Sequence, residues 1–131
     1  LRVAVFSTGD EILRLGEAPR EGAVYDSNRY TLLGLLTRLD VELIDLRSIW
    51  PWDREQVLTS CSRTGKLLVV HEAVQAGGFG AEISATVAEA TGCRIRRLGA
   101  PRIPVGYAPV LEAQSRIGLE AIAAAVRAML A

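Results

Sequence analysis

Four short clusters in this chain hold the residue types that could do chemistry. Ser7-Thr8-Gly9-Asp10 closes one apolar run, and His71-Glu72 closes another. Asp26-Ser27-Asn28 opens a leucine-rich stretch, and Gly77-Gly78-Phe79-Gly80 opens a stretch of small residues. Hydroxyls, carboxylates, one imidazole and a glycine turn at strand ends and helix starts are the parts of a polar pocket for a phosphate-like anion. Backbone N–H groups at helix starts near Asn28 and Gly80 would add donors to it. The same residues also make ordinary sense without a ligand. Asp10, Glu11, Asp26 and Glu72 put negative charge on that rim, strand ends are commonly solvated, and Asp26 and Ser27 read as helix caps before they read as ligands. His71 with Ser7 or Thr8 and Asp10 shows no nucleophile elbow and no oxyanion-hole signature, so a hydrolytic triad is set aside. The glycine run lacks regular dinucleotide-binding spacing. The single histidine rules out a multi-histidine metal site. Cys61 and Cys93 are too widely spaced for a zinc knuckle and too few for a disulfide framework, and read as buried or idle thiols in a reducing compartment. From the residues alone, no catalytic side chain, metal ligand or cofactor is assigned.

The elements that must position these clusters alternate. Arg2 to Phe6 reads as a buried parallel strand, and Glu11 to Ala23 as a long loop with a turn of helix at Glu11–Leu15. A helix is predicted from Asn28 to about Leu39, with Leu32, Leu35, Leu36 and Leu39 on one stripe. Val41 to Leu46 is the second strand. The next helix takes Pro51 in its first turn, carries Asp53 and Glu55 near its positive end and stops near Gly65. Leu67 to Val70 is the third strand. A helix from about Ala81 to Thr91 turns Ile83, Val87 and Ala90 inward, and Cys93 to Arg97 is the fourth strand. Leu98 to Leu111 reads as a surface excursion, and a last helix from about Gly118 to Leu130 buries Leu119, Ile122, Val126 and Met129.

Strands alternating with helices mean βαβ crossovers and a parallel sheet covered on both faces. The expected fold is a single α/β domain over 1–131, three-layer αβα, with a doubly wound, mainly parallel four-stranded sheet in the order 2-1-3-4, of flavodoxin-like type. Ligands in such sheets sit at the carboxyl ends of the strands, at the switch point. That places Ser7, Thr8, Gly9, Asp10, Asp26, Ser27, Asn28, His71, Gly77 and Gly78 around one candidate site between the ends of the first and third strands.

Composition narrows the partners. Acids and bases balance at 15 each, with no basic stripe, so nucleic acid is not expected. No apolar run is long enough for a membrane span, and no secretion signal is read, so a cytoplasmic setting is expected. Formal neutrality removes one safeguard against self-association. Trp50, Trp52, Phe79 and Tyr107 are the side chains that would carry such contacts, unless they fold back on their own loops.

Two resemblances overlap on Val41 to Leu46. Residues 1–47, through Ser7-Thr8-Gly9-Asp10-Glu11 and Tyr25-Asp26-Ser27-Asn28-Arg29, resemble the molybdopterin-binding domain of molybdopterin molybdotransferases. In that family these segments line the cofactor site, which implies a pterin-like ligand. The family's Ser-Gly-Gly phosphate loop does not follow. Residues 41–131 resemble the C-terminal domain of the transketolase superfamily, in the form found in the β subunit of thiamine-dependent 2-oxo acid dehydrogenases. The words are Asp45-Leu46-Arg47, Pro51-Trp52-Asp53, Thr64-Gly65-Lys66, Val70-His71-Glu72-Ala73, Gly77-Gly78-Phe79-Gly80-Ala81-Glu82 and Gly99-Ala100-Pro101. The resemblance implies a domain that builds subunit contacts and docks the core enzyme, while thiamine diphosphate binds between two other domains.

Neither inherited chemistry is complete. The expectation is therefore a recombined, engineered α/β chimera that folds stably without catalysis of its own. The alternatives are a residual pterin- or phosphate-binding domain and a subunit-assembly module of a thiamine enzyme.

Overall fold

The computed structural model describes residues 2–5, 12–13, 16, 18–25, 34, 36–39, 41–46 and 48–131. Ser7, Thr8, Gly9, Asp10, Asp26, Ser27 and Asn28 lie outside the described residues. The main sheet contains β1 (Arg2–Val5), β4 (Glu42–Ile44), β5 (Lys66–Val74) and β6 (Arg94–Ala100), in the spatial order β4-β1-β5-β6. Every pairing is parallel: Arg2 lies beside Glu42 on one side and Leu67 on the other, and Lys66 lies beside Arg94. Two further strands, β2 (Ile12–Leu13) and β3 (Val24–Tyr25), pair with each other in a separate parallel ribbon. The turn of helix expected at Glu11–Leu15 is therefore corrected at Ile12–Leu13, where backbone pairing with Val24–Tyr25 and burial of Leu13 hold the chain extended.

Three helices flank the main sheet: α1 (Arg54–Thr64), α2 (Phe79–Thr91) and α3 (Leu119–Leu130). Gly34, Leu36 and Thr37 are also helical. β5 divides the core by strand alternation. Leu68 and Val70 point to one face, where Leu36, Val41, Ile122, Val126 and Met129 cover them. Leu67 and Val69 point to the other, against Ile44, Val57, Cys61, Ile83 and Val87. A strand buried on both sides needs a continuous apolar run, which is what Leu67-Leu68-Val69-Val70 supplies.

Local chemistry sets the helix ends. The Asp53 carboxylate accepts the Gln56 N–H at 3.0 Å and caps α1. Pro51 lies before the cap, outside the first turn expected for it, because Asp53 claims the cap position. α1 ends at Gly65, whose φ of 66° suits glycine and whose N–H reaches the Cys61 carbonyl at 2.8 Å. Ser60 is buried on α1 and donates to Glu42 Oε2 at 3.4 Å, while Arg63 lies 3.5 Å from the same oxygen, tying α1 to the β4 edge. α2 starts at Phe79 rather than Ala81, and Ala90 is exposed rather than inward. The excursion begins only after Ala100, since β6 runs on to that residue, and it includes a helical turn at Pro109–Glu112 and a 3-10 turn at Ala113–Ser115. Among the described residues, no helix is long and apolar enough to cross a membrane.

Candidate functional site

β5 carries His71 one step beyond Val69 on the same face, so the imidazole enters the layer between sheet and α2. Only 7% of the residue is exposed. The ring lies against the start of α2, where side chains are missing. A Cβ placed on Gly80 would stand 2.6 Å from His71 Nε2 and 2.8 Å from Cδ2, and one placed on Gly78 would stand 2.6 Å from Cε1 and would also strike the Val74 carbonyl oxygen. Gly78 is the N-cap of α2, in extended backbone, and Gly77 has φ of 81°. The glycine run is therefore the gap that admits the ring. Of the sequence-predicted site residues, the structure brings His71 and Gly78 together as a packed contact, with Gly77 in the turn beside them.

Among the described residues, neither His71 Nδ1 nor Nε2 has a hydrogen-bond partner. Burial pushes the imidazole below its ordinary range, and the positive charge of Arg97 pushes the same way, so the neutral ring is favoured. Glu72, the neighbour expected at the same rim, is exposed. Alternation sends it away from the His71 face.

A second arrangement lies at the carboxyl ends of β5 and β6. A cleft of about 400 Å³ is bordered by Gln75, Arg97, Gly99, Pro101 and Arg102. Gln75 is clamped from three directions: its N–H donates to the Ala100 carbonyl at 2.9 Å, its Oε1 accepts the Gly99 N–H at 3.3 Å, and its carbonyl accepts Arg97 Nη1 at 3.0 Å. A Cβ on Gly99 would lie 2.6 Å from the Gln75 Cα, so only glycine allows the two strand ends this close. Sequence reasoning missed Gln75, Arg97 and Arg102. The available signal was the density of arginines at 94, 96, 97 and 102 around a strand that ends in Gly-Ala-Pro.

Cys61 is buried and Cys93 half-buried, both as free thiols. Burial, with the neighbouring Cys93 adding to it, pushes the Cys61 thiol up to about 12. Burial also raises Cys93. A thiol held protonated is a poor nucleophile. Among the described residues, no three His, Cys, Asp or Glu side chains gather as a metal site would require.

The aromatic set divides. Trp52 and Phe79 are half-buried against the α1–α2 core, whereas Trp50 is 80% exposed and Tyr107 fully exposed. Tyr107 stands among Ile103, Val105, Val110 and Leu111, all exposed large apolar side chains of the segment after β6. A Cβ on Gly106 would strike the Leu111 side chain, so this segment folds back on itself and presents its apolar residues outward.

Residues 34–122 match the family described as transketolase, C-terminal domain. The 2-oxoisovalerate dehydrogenase subunit beta of Bacillus subtilis is 32% identical over 94 residues, covering 68% of this chain and 29% of the relative. The pyruvate dehydrogenase E1 component subunit beta of Mycoplasma genitalium is 39% identical over 85 residues, 65% of this chain and 25% of the relative. The mitochondrial 2-oxoisovalerate dehydrogenase subunit beta 2 of Arabidopsis thaliana is 57% identical over 51 residues, 39% of this chain and 14% of the relative. The matched part of the chain thus spans less than a third of each of these relatives.

Proposed function

This chain belongs to the transketolase C-terminal domain family, and from that premise we propose that it is a subunit-assembly module of a 2-oxo acid dehydrogenase-like thiamine enzyme, without catalysis of its own. The observation that carries the reading is the exposed apolar segment Ile103–Leu111, with Val105 70%, Tyr107 103% and Val110 72% exposed. Contiguous apolar surface of this kind marks an interaction site. The relatives are named as subunits, which supports assembly as the role.

The described residues do not fit thiamine diphosphate. A diphosphate held through a metal ion needs a cluster of ligating side chains, and none gathers among them. The one imidazole is packed shut behind Gly78 and Gly80. No reaction step is therefore assigned to this chain. Its contribution is a rigid sheet that presents the Ile103–Leu111 segment to a second copy of the same domain.

Sedimentation velocity across a hundredfold concentration range tests the assembly reading. A concentration-dependent dimer that Tyr107→Glu and Val105→Glu weaken supports it. A strict monomer throughout, for the unsubstituted chain, overturns it.

A second reading concerns the front of the chain. The family match begins at residue 34, leaving the Ser7–Glu11 and Tyr25–Arg29 words upstream of it. We propose that this front is a recombined molybdopterin-binding-like segment joined through Val41–Leu46. Calorimetric titration with a pterin phosphate tests whether it keeps a ligand; no heat and no thermal shift would dismiss binding.

A further inference from the structure

Among the described residues, the cleft at the ends of β5 and β6 is bordered by two cations and no carboxylate. Arg97 and Arg102 border it, and the other residues around it are uncharged. Neither arginine has an ion-pair partner among the described residues. Arg97 is also pre-positioned. It is half-buried, and its Nη1 donates to the Gln75 carbonyl at 3.0 Å; Gln75 is itself fixed by its own N–H, which donates to the Ala100 carbonyl, and by its side-chain Oε1, which accepts the Gly99 N–H. One N–H of the guanidinium is spent on that bond, which leaves Nε and Nη2 as donors with no acceptor among the described residues. A planar fork held in one orientation is suited to an oxyanion that can accept two parallel hydrogen bonds. Arg102, exposed and also bordering the cleft, supplies a second charge at little conformational constraint. Between them, Ala100 and Pro101 give an apolar floor.

We propose that this cleft binds a phosphate-class dianion, with Arg97 as the fixed fork and Arg102 as the mobile second cation. A dianion matches the charge of the two guanidiniums, and a single carboxylate would leave one of them unbalanced. At about 400 Å³ the cleft is larger than one phosphate group, so it has room for the organic part of a phosphomonoester over the Ala100–Pro101 floor.

The test is titration of the chain with inorganic phosphate and, in a second arm, phenyl phosphate, followed through the Arg97 side-chain Nε–H and the Gly99 and Arg102 backbone N–H signals at constant ionic strength. These signals should move together and saturate in the millimolar range. Arg102→Gln, at an exposed position that the fold does not use, should weaken binding about fivefold by removing one charge-assisted contact. Arg97→Lys, which keeps the charge but loses the fork, should weaken it at least as much. Tighter binding of phenyl phosphate than of phosphate identifies a monoester site, and equal binding identifies a site for the free ion. Non-saturating shifts spread over Arg54, Arg94 and Arg127 as well, or binding unchanged in Arg102→Gln, would overturn the proposal.

Discussion

Gly80→Ala isolates the contact that organises the centre of this domain. The added Cβ would sit 2.6 Å from His71 Nε2, 2.8 Å from Cδ2 and 3.1 Å from Val69 Cγ1. The two ring contacts are closer than real Cβ contacts tolerate, and the Val69 contact is tight enough that its methyl must give by a few tenths of an ångström. The ring has nowhere to retreat, since Gly78 closes on its Cε1 edge and the residue is buried. Overpacking of this kind costs about 1–3 kcal/mol, and a boxed ring puts the cost near the upper end. Ala is a better helix former than Gly by about 1 kcal/mol, which offsets part of it. The net loss is about 2 kcal/mol, or a Tm lower by about 7 °C for a domain of this size. The decisive comparison is the same substitution in a His71→Ala background. With the ring gone, only the helix preference and the small Val69 adjustment remain, so Gly80→Ala should then raise Tm, by up to about 3–4 °C. Thermal melts of the four proteins form a double-mutant cycle. An equal change in both backgrounds would refute the claim that the glycine exists to admit the imidazole.

Two further outcomes follow from the titratable groups. The folded pKa of His71 lies below its ordinary 6.5, so the unfolded chain binds the proton more readily; stability from this group is complete above 6.5 and is lost as pH falls from there through the lowered value. Melts from pH 8 to pH 5 should show the unsubstituted chain losing stability relative to His71→Gln only as pH falls below about 6.5, and parallel curves would contradict it. Cys61, raised to about 12, should resist a thiol-specific disulfide reagent at pH 8 in the native state and react promptly in denaturant, so rapid native labelling would count against its burial.

Much of the architecture was legible because the signals were strong and local. An uninterrupted Leu67-Leu68-Val69-Val70 can be satisfied only between two apolar layers, and Ile122, Val126 and Met129 recur at helical spacing to form one of them. The strand ends were less legible. β5 continues through His71, Glu72 and Ala73 to Val74, and β6 continues to Ala100, because their pairing resumes at Val74 beside Ala100, past the exposed Glu72 and Ala73 that interrupt the apolar run. Composition reports burial, and pairing at a sheet's exposed end leaves no apolar trace. β2 was misread for a related reason: two residues held by pairing to Val24–Tyr25 carry no period at all.

The candidate site was legible in part. His71 and the glycine run stood out, but polarity suggested an open pocket where the structure has a buried ring filling a glycine gap. Sequence separates neither case, since both need a histidine near glycines. The Gln75–Arg97 clamp was invisible for another reason. It joins a side chain to a backbone carbonyl on a neighbouring strand, 22 positions apart, and depends on Gly99 having no Cβ. Ser7, Thr8, Gly9, Asp10, Asp26, Ser27 and Asn28 fall outside the described residues.

Oxidative footprinting of Tyr107 at low and high protein concentration bears most directly on the role of this domain. The account predicts full modification in dilute solution and marked protection as concentration rises, with Trp50 as a second exposed reporter. Equal modification of Tyr107 at every concentration, in a chain shown to be folded, would contradict an assembly surface on the Ile103–Leu111 segment.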